Sequence, residues 1–327
     1  MSLKSVGFKS FSEKRSSRIS SILRRYGTLM FFILMIAFFG LTSRYFFTIS
    51  NALTILDQIA VLAILATGLT VVMITGRIDL SIGYAVSALG VLAANALLIT
   101  HSITLAVLTV ILGGILIGAV NGFTISFLGI PDFIGTLAMG FLVEGVNQAF
   151  TRGYPVSNLP QRFYIFGQGK FIGIPISVFI TLGILLITWF LLGRTRFGRY
   201  VYAIGGNEEA AVLSGVSVRP NILISYILCG VGAAVTGLVL TSRIGAAYPT
   251  AGDGMLLDTI ATVFLGATAF RNGEANLWGT LLGVLIIGTM TNGLTLLDVP
   301  YYFQLMAKGL IIVVAVTITS IERRRAG

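Results

Sequence analysis

The stretch ITLAVLTVILGGILIGAVNGFTISFL, from Ile103 to Leu128, contains no charged residue. About 20 consecutive apolar residues suffice for a helix to cross the hydrocarbon core of a bilayer, so this stretch predicts a membrane-spanning helix. Similar apolar runs precede and follow it along the chain. Together the runs fall at about 28–46, 55–75, 80–100, 103–128, 133–151, 172–193, 220–242, 255–270, 276–296 and 302–321. The sequence therefore predicts an all-α integral membrane protein with about ten transmembrane helices.

The composition agrees with a membrane protein. Of 327 residues, 56% are hydrophobic and only 10% are charged, and the mean hydropathy is +0.95, whereas a soluble domain carries about 25% charged residues. Ten helices leave little chain for a soluble domain, which argues against a secreted enzyme or a nucleic-acid-binding module. Cys229 is the only cysteine and His101 the only histidine, so we expect no intrachain disulfide, no metal site, no cofactor and no catalytic residue.

The positive charges are distributed as membrane topology requires. The net charge is +10, and sixteen Lys and Arg residues fall on the predicted cytoplasmic side against five on the predicted outer side. This bias matches the positive-inside rule. We therefore expect a basic cytoplasmic tail at 1–27, a single transmembrane domain at 28–321 and a second cytoplasmic tail at 322–327. No nucleic-acid partner is expected.

Two halves of the chain show a weak similarity. Residues 75–78, Thr-Gly-Arg-Ile, resemble residues 241–244, Thr-Ser-Arg-Ile, at an offset of 166. Further matches have offsets of 169 to 171, and they pair Asn121 with Asn292, Gly122 with Gly293, Pro131 with Pro300 and Gly140 with Gly309. The offset spans five predicted helices, so halves at about 28–171 and 172–321 would cross the membrane in opposite senses, as in transporters with inverted repeats. The alternative is chance similarity between glycine-rich helices.

The longest polar interruption, RTRFGRYVYAIGGNEEAAVLSGVSVR, covers 194–219. Gly205 and Gly206 predict a turn, Asn207 predicts an N-cap, and a short helix is expected from Glu208 until Gly215. The acidic residues Glu208 and Glu209 would lie at the positive end of the helix dipole. Such a helix between two spans could receive a push from a partner protein; the alternative is an ordinary capped loop.

This segment resembles the permease subunits of the ribose-type family of ABC sugar importers. The matching residues are Arg194-Thr195-Arg196-Phe197-Gly198-Arg199, Ala203-Ile204-Gly205-Gly206-Asn207, Glu209-Ala210-Ala211 and Leu213-Ser214-Gly215-Val216. The similarity extends to 78–83, IDLSIG, and 257–261, LDTIA, and covers about 28–321. Two places differ from the usual family pattern: Gly76-Arg77 stands in place of Gly-Gly, and the run RNGEAN at 271–276 replaces Gly-Gly-Glu-Gly.

The resemblance implies a permease of the bacterial inner membrane that imports a monosaccharide or a small polyol by alternating access. It also implies a second permease copy or sibling chain, a cytoplasmic ATPase that docks on the 205–216 loop, and a periplasmic or extracytoplasmic sugar-binding protein. The expected coupling residues are Arg199, Gly205, Gly206, Asn207, Glu208, Glu209, Ala210, Ala211, Leu213 and Gly215. Independently, the chain contains no Gly-x-x-x-x-Gly-Lys-Ser/Thr loop, so another chain would have to bind the ATP.

Polar residues on the predicted spans are candidates for the translocation path, because polar groups in a bilayer are costly. They are Asp79, Asn95, Asn121, Glu144, Asn147 and Gln148. For Asp79 we favour an ion pair with Arg77 or a helix N-cap over contact with solute. Glu144, Asn147 and Gln148 share one helix face, which could bind sugar hydroxyls or a neighbouring helix. Asp258 and Lys308 could form an ion pair.

Two other classes of transporter can be weighed from the sequence. An ion-coupled secondary carrier for a small polar solute also uses inverted repeats, but the predicted midplane offers few acids and the basic 194–219 segment has no role in it. An ion channel would need a ring of charged or carbonyl groups, which the sequence does not suggest. The outer loop at 151–171 carries three cations that could dock a binding protein or could simply be solvated.

Overall fold

The computed structural model describes residues 27–270 and 273–326, and most of them are helical. The helices are α1 Gly27–Thr42, α2 Ile49–Ile74, α3 Ile82–Thr100, α4 Ile103–Ser126, α5 Asp132–Thr151, α6 Ile165–Gln168, α7 Ile176–Arg194, α8 Arg196–Gly206, α9 Glu208–Leu213, α10 Val218–Ile244, α11 Asp253–Phe270, α12 Leu277–Leu296 and α13 Tyr301–Ala326. A 3₁₀ turn at Gln161–Tyr164 precedes α6, and strands β1 Lys170–Phe171 and β2 Ile174–Pro175 form an antiparallel hairpin.

Each predicted apolar run coincides with one long helix, within a few residues at most ends. α2 begins earlier than predicted because Thr48 caps it, its hydroxyl accepting the N–H of Asn51 at 3.2 Å. α13 continues through Ala326, beyond the predicted end of the last span at 321. The predicted basic tail lies outside the described residues, apart from Gly27, which opens α1.

Within the described ranges 27–270 and 273–326, seven helices are long and apolar enough to cross a membrane: α2, α3, α4, α5, α7, α10 and α12. α1 is apolar but shorter. The predicted fold class, a helical membrane protein, is confirmed at this level. α2, α3, α10 and α12 bury most of their residues inside the molecule, whereas α4, α5 and α7 leave most of theirs on the surface.

Glycines bring the central helices into close contact. A side chain at Gly114 or Gly118 on α4 would collide with the backbone of Gly230 or Tyr226 on α10. Small residues at such positions let membrane helices pack through their backbones. The close approach suggested by the Gly114-x-x-x-Gly118 spacing is therefore present. On the other side of α10, Gly232 faces Gly68 of α2 more loosely, since a Cβ at either position would lie 3.3 Å from the backbone of the opposite helix.

Two non-helical connections lead from these central helices to shorter ones. The α2–α3 connection, residues 75–81, has Gly76 as its second residue at φ +79°, and the α10–α11 connection, residues 245–252, begins with Gly245 at φ +83°. L-residues rarely adopt this left-handed conformation, so glycine allows both turns. Each connection returns the chain toward the interior before the next helix starts.

Candidate functional site

The 194–219 segment forms two helices rather than one. α8 occupies Arg196–Gly206 and is amphipathic, with Val201 and Ile204 buried. α9 begins after Asn207, whose side-chain oxygen accepts the N–H of Ala210 at 2.9 Å. The predicted capped helix from Glu208 is confirmed. The turn predicted at Gly205 and Gly206 is wrong, because these residues form the last turn of α8 and the extended backbone of Asn207 breaks the helix instead.

α9 is a short helix that is mostly exposed on one side and packs against the rest of the protein on the other. Nine of the ten expected coupling residues are exposed, and Ala211 alone is buried. Val212 and Leu213 have exposed fractions of 57% and 89%, which places apolar groups on the surface at the end of the α9 helix. Gly205 packs against the carbonyl of Ile74 so tightly that a side chain there would collide with it. The α8–α9 pair is therefore set directly against the end of α2.

The α2–α3 connection has its backbone polar groups satisfied by side chains of other helices. The N–H of Ile78 donates to Asp132 of α5 at 2.8 Å, and its carbonyl accepts the hydroxyl proton of Tyr226 of α10 at 2.9 Å. The N–H of Leu80 donates to the Thr136 hydroxyl of α5 at 3.0 Å. Buried backbone groups outside regular structure need such partners. The connection is thus tied to α5 and α10 at defined atoms.

Asp79 lies at the buried end of this connection with an exposed fraction of 2%. Its carboxylate accepts the hydroxyl proton of Ser81 at 2.6 Å and the N–H of Ser81 at 2.9 Å. The amide of Asn121 donates to the Ser81 hydroxyl at 2.8 Å and lies 3.4 Å from Asp79. Asp79 and Asn121 are therefore brought together, in a network that secures the beginning of α3.

The expected ion pair between Asp79 and Arg77 is wrong. Arg77 instead donates to the carboxylate of Glu208 at 2.8 Å. The chain reaches the surface at Gly76 and Arg77 and returns to the interior at Asp79, so the two neighbouring charges point into different surroundings. Asp79 also does not cap α3 directly, because it binds Ser81, the N-cap residue, rather than the first turn of the helix.

The beginnings of α3 and α11 meet near the middle of the molecule. Gly83 and Gly252 are in backbone contact, and the Ser87 hydroxyl accepts the N–H of Gly252 at 2.8 Å. Asp79 lies beside Cys229 of α10, and Gly90 of α3 lies beside Gly237 of α10. Gly83 lies between Asp79 and Gly90 in the chain, so it is level with the centre of α10. Both helices therefore begin at the depth of the middle of a long apolar helix.

The other candidate residues for the translocation path differ in their surroundings. Asn147 is buried and donates to the carbonyl of Pro249 at 3.0 Å, which fixes α5 to the α10–α11 connection. Asn95 donates to Val91 of its own helix at 2.9 Å and lines an apolar cavity of about 510 Å³ between α3, α4 and α5. Glu144 and Gln148 remain partly exposed on α5. Glu144 is close enough to Asp253 at the start of α11 for the two carboxylates to interact.

Asp253 is a candidate site residue that is not among those predicted from the sequence. It is the first residue of α11, it is exposed, and it lies next to Gly252 at the depth just described. The apolar pattern predicts a span that begins at about residue 255, which places Asp253 in a loop. The offset of 169 residues pairs Asp253 with Tyr84, which lies in the first turn of α3, so the suspected repeat could have placed Asp253 at the start of a helix.

Two further ion pairs join helices. Arg243 at the end of α10 binds Asp57 of α2 at 3.0 Å, and Asp57 also accepts the hydroxyl proton of Ser177 of α7 at 2.8 Å. Lys308 of α13 binds Asp258 of α11 at 2.7 Å, so the predicted pairing of these two residues is confirmed. Arg243 and Arg77 occupy matching places in the suspected repeat, and each is paired with an acid of another element.

The helical membrane architecture and the α8–α9 surface agree with the class of protein that the chain resembles by sequence. Residues 51–316 match the family described as the branched-chain amino acid transport system / permease component. The match covers most of the chain, so the protein belongs to this family of transport permeases and is not an enzyme.

Individual relatives of the chain are sugar permeases by name. It is 40% identical to the ribose import permease protein RbsC of Escherichia coli K12 over 295 residues, which are 89% of this chain and 92% of that protein. It is 36% identical over 307 residues to RbsC of Bacillus subtilis, covering 93% and 95% of the two chains. The D-allose transport system permease protein AlsC of E. coli K12 is 36% identical over 312 residues, 94% and 95% of the two chains. No solved structure matches the chain.

Proposed function

We propose that this protein is the membrane-spanning subunit of an ATP-driven importer of a monosaccharide in the bacterial inner membrane. The observation that carries the proposal is the near full-length similarity to permeases named for ribose and allose. α9 supports it, because a capped helix with Val212 and Leu213 exposed is suited to contact a cytoplasmic ATPase. An extracytoplasmic binding protein would deliver the sugar.

We further propose ten spans arranged as an inverted repeat, with both termini in the cytoplasm. Pro131 and Pro300 each directly precede a helix, α5 and α13, and Asn121 and Asn292 each lie in the last turns of α4 and α12. Gly83 and Gly252, which contact each other, are 169 residues apart, the same offset as the prolines. Equivalent residues touch each other on a twofold axis, so a pseudo-twofold axis near this contact explains the pair.

The solute path, in this proposal, runs along the surface that carries Glu144 and Asp253, between this chain and a second permease copy. Carboxylates that are partly or fully exposed at the depth of the centre of α10 are costly against lipid. They are tolerated where they face a water-filled cavity, and carboxylates accept hydrogen bonds from sugar hydroxyls. Alternating access would open this cavity to either side in turn.

Purification of the full chain with a C-terminal tag, followed by mass spectrometry, tests the partners. We expect an ATPase with a phosphate-binding loop, and uptake of labelled ribose or allose into proteoliposomes containing the complex and its binding protein should require ATP. A secondary carrier would behave differently. Uptake that survives without ATP but collapses with the ion gradient would contradict the proposal.

A further inference from the structure

The ion pair between Arg77 and Glu208 joins two segments with different tasks. Glu208 is the first residue of α9, and Arg77 lies in the α2–α3 connection, 131 residues earlier in the chain. The Nη2 atom of Arg77 and the Oε2 atom of Glu208 are 2.8 Å apart. Within residues 27–270 and 273–326, this is the only ion pair that α9 makes. The pair is therefore the charged link between α9 and the rest of the described molecule.

Arg77 is followed directly by the best anchored part of the α2–α3 connection. Ile78 is held from both sides, its N–H by Asp132 of α5 and its carbonyl by Tyr226 of α10. Leu80 is held by Thr136 of α5. A displacement of Arg77 would consequently be passed through one peptide unit to α5, α10 and the start of α3. One of these helices, α5, carries Glu144 of the proposed solute path, and α3 carries Gly83, which contacts Gly252 next to Asp253.

The pair contributes little to the stability of the fold by itself. The side chain of Arg77 has an exposed fraction of 30% and that of Glu208 has 46%, and ion pairs in contact with solvent are weakly stabilising. The importance of the pair lies in its position, because it links α9 to the α2–α3 connection. An ATPase seated on α9 would exclude water from the pair, and a desolvated pair of opposite charges resists separation.

We infer that Arg77 is a positioning residue that conveys the movement of α9 to the α2–α3 connection, and that Glu208 is its partner in this step. When α9 is pushed, the ion pair moves Arg77 with it, and the hydrogen bonds of Ile78 and Leu80 carry the displacement to α5 and α10. Coupling between distant sites requires such a contiguous set of contacts with two arrangements. This inference rests on the proposed function, because it assigns the α9 movement to an ATPase.

The test uses the complete importer, with ATPase and binding protein, in proteoliposomes, and measures sugar transported per ATP hydrolysed. In Arg77→Gln and Glu208→Gln we expect this ratio to fall roughly fivefold or more, the range of typical coupling energies, while ATP hydrolysis continues. A merely structural role would lower transport and hydrolysis together. The exchanged pair, Arg77→Glu with Glu208→Arg, should recover part of the ratio, and Arg77→Lys should retain most of it.

Glu274→Gln is the matched control, because Glu274 is an exposed acid outside the 194–219 segment. It should keep the ratio of the unaltered protein. An unchanged ratio in Arg77→Gln and Glu208→Gln would overturn the inference and leave the proposed function intact. Loss of the ATPase from the Glu208→Gln complex would also overturn it, because Glu208 would then serve docking. Absence of ATP-driven uptake with the unaltered protein would overturn both proposals.

Discussion

The Ser87 hydroxyl accepts the backbone N–H of Gly252 at 2.8 Å and thereby joins the first turns of α3 to the residue that precedes α11. The two residues are 165 positions apart, and Ser87 is 3% exposed. The contact between Gly83 and Gly252 lies one turn away. The meeting of the two helix starts is thus fixed by one hydrogen bond and by the absence of side chains at two glycines.

Ser87→Ala should destabilise the protein. It leaves the buried N–H of Gly252 without its partner, which costs about 1–3 kcal/mol. The change is measurable as a lower midpoint of thermal unfolding in detergent. Ser126→Ala is the control, because the Ser126 hydroxyl only donates to Gly122 of its own helix. Equal stability of the two variants would show that the bond to Gly252 contributes nothing.

Local features of the chain could be predicted well from the sequence. The cap at Asn207 and the following helix depend on residues within one turn, and the apolar runs depend on composition alone. The close packing at Gly114 and Gly118 is likewise a matter of spacing within one helix. Such features need no knowledge of what lies opposite them in the fold.

Long-range partners could not be predicted in the same way. The sequence predicts an ion pair of Arg77 with its neighbour Asp79, but the structure pairs Arg77 with Glu208, because the chain reverses direction between Arg77 and Asp79. The role of Tyr226 in holding Ile78 has no signal in the sequence, since a tyrosine on an apolar helix is usually a packing residue. The pairing of Asp258 with Lys308 is predictable from the sequence, because opposite charges in apolar segments have few other partners.

Gly118→Leu should separate α4 from α10. A side chain at this position meets the carbonyl of Tyr226, which belongs to the helix backbone and cannot move aside. Overpacking of this kind costs about 1–3 kcal/mol, and we expect a lower yield of monodisperse protein and a lower unfolding midpoint. Gly183→Leu on the exposed face of α7 meets no atom within 4 Å and should leave both unchanged. Indistinguishable behaviour of the two variants would contradict the packing argument.

Leu213→Asp should weaken the proposed contact with the ATPase without affecting the fold. Leu213 is 89% exposed, so its replacement removes no packing, whereas a charge in the apolar part of an interface is strongly unfavourable. We expect less ATPase to co-purify with the tagged chain. Tyr154→Asp, at a 73% exposed side chain in the connection after α5 and outside the predicted spans, is the control. Full recovery of the ATPase with Leu213→Asp would argue against docking on α9.

The pair of Arg243 and Asp57 should have a measurable coupling energy. Their side chains are 29% and 22% exposed, so the pair is neither fully exposed nor fully buried. Exposed ion pairs are worth up to about 1 kcal/mol, whereas the disruption of a buried pair costs about 3–5 kcal/mol. Arg243→Gln and Asp57→Asn should each destabilise the protein by about 1–2 kcal/mol, and the double variant by less than the sum. Additive effects on the unfolding midpoint would mean that the two charges act independently.

Glu144→Gln and Asp253→Asn should reduce sugar uptake while preserving the fold. Both carboxylates are partly or fully exposed and lie near each other, so removal of one charge relieves repulsion and should leave the unfolding midpoint equal or higher. If each carboxylate accepts a hydrogen bond from the sugar, its loss weakens binding by roughly tenfold. Asp298→Asn removes an exposed acid between α12 and α13 at a positive φ that Asn tolerates, and it should transport normally. If the two carboxylates line the solute path, the loss of either charge must affect uptake. Unchanged uptake in both Glu144→Gln and Asp253→Asn would therefore place the solute path on a different surface.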